Sequence, residues 1–165
     1  MIDNIPTRVI FSSMDSVKAK AHWFFIFNST PDLPEALITG REEIWLRYIL
    51  QGWTYDPELF MPDAMAEYVR AYSAPGAIRG ACNDYRAGPL DVEQDDEEAE
   101  VPIGCPTLVI WGEDFELVGK MWDVRGIWSK MAGEVSFAPI ARCGHLPHEE
   151  RCDEVSAALL DFMRN

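Results

Sequence analysis

The segment Ala141–Glu150 places His145 directly after a glycine, behind the short apolar run Val135–Ile140 and ahead of an amphipathic stretch from Val155 to Met163. That order sets the imidazole in a loop between a strand and the closing helix, held out of the core at a sheet's end. An imidazole so placed can take a proton from one group and return it to another, the task of a general base. A Gly-His pair by itself also suits a plain surface loop, and on those two residues alone both readings stay open. The other two histidines, His22 and His148, and the scattered acids show no HExxH or comparable metal spacing, so no metal and no cofactor is implied.

A base at a sheet's end needs elements to hold it there. Cys105–Gly112 is a continuous apolar run, the mark of a strand buried on both faces, and Val135–Ile140 is a second strand. A helix around Met121–Met131 separates the two strands, which predicts a parallel pair with a crossover helix, closed by a last helix. A parallel pair wants neighbours at both faces and both edges, so more sheet is expected beside it. At the other end, Met1–Thr7 reads as the last turn of a strand, cut short by Pro6.

Between these lies a helical region. Ser13 is placed to cap a helix through Val17, Ala21, Phe24 and Phe25 to Asn28, with His22 and Trp23 in its second half. Pro34 suits the first position of a short helix over Glu35–Ile38, and Glu42–Gln51 forms another that Gly52 and Trp53 end. Pro62 opens a helix with Met65, Tyr68, Val69 and Tyr72 on its buried face. Ile78, Cys82 and Tyr85 mark a further one, which Gly88–Pro89 stops. The acidic run Asp91–Glu100 is expected to be a solvated loop.

Composition limits the functions. The chain has 165 residues, 48% hydrophobic and 12% aromatic, enough for a globular core. A formal charge of −14 with no basic stripe argues against nucleic acid and against an anionic membrane surface. Cys82, Cys105, Cys143 and Cys152 show no paired spacing and suit reduced thiols. No run reaches the roughly 18 apolar residues of a membrane span. The expectation is a soluble, cytoplasmic protein.

Six motifs then fall in a recognisable order: Ile2–Thr7, His22–Phe25, Leu33–Glu35, Cys82–Ala87, Pro106–Glu113, and Gly144–His145 followed by Glu149–Glu150. In them the chain resembles the α/β-hydrolases of the haloacetate (fluoroacetate) dehalogenase and epoxide hydrolase type, which hydrolyse through an aspartyl-ester intermediate. The resemblance implies a partial α/β-hydrolase fold, a helical cap followed by the last parallel strand pair of the sheet. It divides the chain into residues 1–11, the end of a core strand and link to the cap; 12–104, the cap and acidic loop; and 105–165, the closing βαβα part of the core. By the same resemblance His145 is the base that activates water against the ester, and Asp3 is the carboxylate that orients it. Many α/β-hydrolases carry that acid three residues after the glycine of the Trp111–Gly112 pair, where this chain has Phe115. Glu113 and Asp114 are near that position but are not aimed from it, which favours Asp3. His22, Trp23 and Tyr85 match cap donors that hold the departing anion, all turned toward one cleft, and Trp53 matches a pocket-wall aromatic.

One part of the family pattern does not occur. No G-x-[DS]-x-G turn, the setting of the nucleophile, lies within these residues. A truncated hydrolase is therefore expected, with a small-molecule substrate if completed. The alternatives are a non-catalytic remnant or binding module, and one half of a split hydrolase. A second chain or a homo-oligomer would cover the exposed sheet edge.

Overall fold

The structure is a computed structural model, and it describes residues 1–59, 62–97 and 101–164. Two compact units account for it, one of residues 7–52 and 62–97, the other of residues 1–6, 53–59 and 101–164.

The first unit is helical: α1 (Thr7–Ser12), α2 (Ser16–Ala21), α3 (Trp23–Ser29), α4 (Leu33–Ile38), α5 (Glu42–Trp53), α6 (Pro62–Tyr72) and α7 (Ala77–Glu97). Ile38, Ile78 and Cys82 form its buried centre, with Phe27, Trp45 and Tyr72 packed against them. The helix expected from Ser13 to Asn28 is two helices. Its cap is Asp15, whose carboxylate accepts from the Val17 and Lys18 N–H groups, while the Ser13 hydroxyl turns back to the Val9 carbonyl. The break falls at His22, whose backbone N–H and ring Nδ1 both engage the Lys18 carbonyl, at 2.8 and 2.9 Å.

Gly88–Pro89 does not end its helix. α7 runs on through Pro89 to Glu97, so the acidic run is helical from Asp91 to Glu97, and its last three residues lie outside the described ones. A proline inside a helix loses a donor and crowds the preceding turn. Here tertiary contacts outweigh that cost: the Phe11 ring lies over Gly88, and Arg8 holds both Asp95, through its N–H, and Asp96, through its guanidinium.

In the second unit β1 (Thr107–Gly112) and β2 (Val135–Ile140) pair in parallel, Thr107 opposite Val135 and Gly112 opposite Ile140. α8 (Val124–Met131) connects them, and α9 (Pro147–Glu150) and α10 (Cys152–Phe162) follow. Leu108, Ile110, Ile140, Cys143 and Val155 form the core between sheet and α10; burying each large aliphatic side chain contributes about 1.5–3 kcal/mol. Met1–Asp3 runs beside β1 as a short parallel stub: Ile110 N–H donates to the Met1 carbonyl, and Asp3 N–H to the Ile110 carbonyl.

Candidate active site

Both strands end at one edge, and the residues that follow them build the site. Gly112 closes β1, and the turn after β2 passes directly over it. A side chain there would stand 2.0 Å from the Gly144 carbonyl, so only glycine lets the His145 loop close down on the strand end. Arg142, at φ 52°, turns that loop, and its N–H is held by Asp114 at 2.9 Å. Asp114 is therefore occupied in shaping the loop.

The carboxylate on the imidazole belongs to Asp3. Its Oδ2 lies 2.5 Å from His145 Nδ1, and its Oδ1 accepts from Gly112 N–H at 3.1 Å. Asp3 adopts φ 45°, a left-handed conformation that costs a non-glycine residue about 1–2 kcal/mol. The stub beside β1 holds it there, its side chain only 1% exposed. Burial raises the Asp3 carboxyl above the ordinary aspartate value; the hydrogen bond and charge of His145 and the Gly112 N–H act in the opposite direction and only in part offset it. With Nδ1–H given to Asp3, the basic lone pair of a neutral His145 sits on Nε2, the arrangement a general base needs.

Two aromatic rings fix the imidazole from outside the pair. Phe115 stacks on it, with centroids 4.5 Å apart, and Trp53 meets it edge-on at 5.0 Å. Cys143, next in the loop, is buried and pushed up to about 12, chiefly by burial, which keeps it a neutral thiol.

No family model matches the chain. A fluoroacetate dehalogenase from Burkholderia sp is 30% identical over 167 residues, covering 99% of this chain and 54% of that protein. A soluble epoxide hydrolase from Corynebacterium sp. (strain C12) is 30% identical over 140 residues, covering 84% of this chain and 47% of that one. The crystal structure of a Nostoc sp PCC 7120 protein assigned as an α/β hydrolase superposes with a TM-score of 0.91 at 36% identity, over 98% of this chain and 56% of that chain. This chain is a relative of the α/β-hydrolases. It carries part of their fold, and it spans about half the length of the relatives it matches.

Within this hydrolase relative, Asp3, His145 and Trp53 lie together in the sheet-bearing unit, and His22, Trp23 and Tyr85 in the helical one. His22 and Tyr85 share a neighbour, Phe25, at 5.2 and 5.3 Å. The Trp23 ring packs instead with Phe27, Trp45 and Tyr48. Burial pushes the Tyr85 phenol up to about 12, and a side-chain hydrogen bond with Asn28 acts in the opposite direction. The Asn28 Oδ1, buried, has no partner among the described residues. His148 is exposed.

Two contributors were not legible beforehand. Phe115 was known only as a residue that cannot be the acid. Glu150 stands in the sequence only as one acid of the Glu149–Glu150 pair, yet its carboxylate accepts from Gly144, Leu146 and Tyr55 N–H groups. Its partners are all backbone, which leaves no trace in residue types.

Proposed function

We propose that this chain supplies the acid–base part of a hydrolase that works through an ester intermediate, on small molecules of the haloacid or epoxide kind. The observation that carries the reading is the 2.5 Å contact between His145 Nδ1 and a buried Asp3 carboxylate, itself fixed by Gly112. In the deacylation step, His145 Nε2 takes a proton from water as the water oxygen attacks the ester carbonyl. Asp3 holds the ring in the required tautomer and stabilises the imidazolium until the proton is returned.

The same reading has His22, Trp23 and Tyr85 donate to the departing anion or alkoxide, with Trp53 as an aromatic wall. The His22 Nδ1 proton goes to the Lys18 carbonyl, which leaves Nε2 as the ring atom for the anion.

A base without a nucleophile forms no ester, and no G-x-[DS]-x-G turn occurs in the 165 residues. The expected result is no halide or diol release from fluoroacetate, chloroacetate or styrene oxide with these residues alone. Turnover should appear on adding a polypeptide bearing an aspartate elbow, and vanish with His145→Ala. Turnover by the 165 residues alone that disappears in His145→Ala would reveal a nucleophile among them and overturn the split of roles. Complemented turnover that His145→Ala leaves intact would overturn the assignment of the base.

A further inference from the structure

The Glu150 carboxylate gathers three backbone donors from two stretches of chain far apart in sequence. Gly144 N–H lies 3.0 Å from both of its oxygens, Leu146 N–H 3.2 Å from one, and Tyr55 N–H 2.7 Å from the other. The two loop donors flank His145 on either side. His145's own N–H donates to the Trp53 carbonyl at 2.7 Å, so residues 53–55 and 144–146 lie against each other. They lie close: a side chain on Gly144 would stand 2.2 Å from that same carbonyl. The contact brings the Trp53 ring edge-on to the imidazole.

From this we infer that Glu150 is a positioning residue for His145: one carboxylate clamps the base's loop to the segment after α5 and so holds the imidazole on Asp3 and beneath Trp53. The inference rests on the Asp3–His145 pair being the functional one. A helix-capping role would direct the carboxylate to the first N–H groups of its own helix. Glu150 instead ends α9 and reaches back four and six residues, and across to Tyr55. Hydrogen bonds from N–H to a carboxylate are among the stronger ones, and their loss takes this partner from Gly144, a buried residue.

The test is proton NMR of the 15N-labelled 165-residue chain, following the His145 Nδ1–H signal, assigned by its loss in His145→Gln. Wild type should show one strongly deshielded imidazole proton. In Glu150→Ala, with amide dispersion elsewhere retained, its exchange with water should quicken by roughly tenfold or more, what losing one hydrogen bond to a charged group amounts to. Glu150→Gln keeps the shape and one acceptor oxygen, and should fall between. An unchanged signal in Glu150→Ala overturns the role of Glu150 and leaves the Asp3–His145 pair standing. Should the alanine variant unfold, Glu150→Gln decides: faster exchange supports the role, and a signal identical to wild type overturns it. Absence of the deshielded proton from wild type would sink the pair and the clamp together.

Discussion

Phe115 lies flat against His145, ring centroids 4.5 Å apart and planes 26° from parallel. It stands three residues past Gly112, where the family resemblance would set an acid, and it packs its face on the ring. The carboxylate comes from the opposite end of the sequence, on the stub beside β1.

Phe115 is buried, so truncation removes both core volume and a stacked face. Phe115→Ala is expected to destabilise the chain by about 3–5 kcal/mol. Phe115→Leu should cost less and still broaden the His145 ring signals, because the aliphatic chain cannot stack. Urea unfolding followed by tryptophan fluorescence, with NMR of the imidazole, checks both. Sharp His145 signals in the leucine variant would deny the ring its restraining role.

Asp3 has a carboxyl raised by burial, which fixes the sign of its pH effect. Between the unfolded value, about 3.9, and the higher folded one, the folded chain binds the proton more readily. The contribution of Asp3 to stability is thus most favourable below that window and falls as pH rises through it. Asp3→Asn, which does not titrate and tolerates positive φ, should lose least stability relative to wild type above the window and most below it. Paired urea titrations across the window test this, and a stability gap that widens with rising pH would contradict it.

In the helical unit the opposite sign holds for Glu35. Hydrogen bonds from Arg86, at 2.8 and 2.9 Å, lower its carboxyl to about 2. The stabilisation is present above the unfolded value, about 4.3, and lost as pH falls toward 2. Arg86 also holds the Thr30 carbonyl, so Arg86→Ala should cost more than Glu35→Gln, itself about 2 kcal/mol at neutral pH. At pH near the folded value the Glu35→Gln penalty should largely vanish; a penalty independent of pH would exclude the charged pair as its source.

Asn28 is buried, and its side-chain hydrogen bond with Tyr85 acts against the burial that raises the phenol. Tyr85→Phe removes that hydrogen bond and is expected to cost about 1–3 kcal/mol. Asn28→Leu removes a buried Oδ1 that has no partner among the described residues, and should cost less. The double variant should be less destabilised than the sum. A strictly additive cycle would mean the bond contributes nothing.

Much of this was legible in residue order. The apolar run Cys105–Gly112 required a strand buried on both faces, and the intervening helix required its partner to be parallel, because a crossover returns the chain in the same direction; both are found. The helical spacing of Ile78 and Cys82 likewise ended in a core, which they share with Ile38. Local chemistry misled where tertiary contacts outweighed it. Gly88–Pro89 signals a stop, yet Phe11 over Gly88 and Arg8 on Asp95 and Asp96 carry α7 through it. Ser13 and Asp15 are both capping types; Asp15 takes the cap, and the Ser13 hydroxyl is given to the Val9 carbonyl behind it.

The sequence by itself determined the kinds of group at the site: an imidazole in a loop after the second strand, an aspartate beside Ile2, and an aromatic where an acid might have been. Side-chain type and hydrophobic period are local properties, and they are written directly in the residues. Which groups meet was decided by the tertiary structure alone. Asp3 and His145 are 142 positions apart, and their contact depends on a stub pairing with β1 and on two glycines that let backbone approach backbone. Glu150 is the clearest case, because every partner of its carboxylate is a main-chain N–H, a group that all residues but proline carry and that no sequence distinguishes.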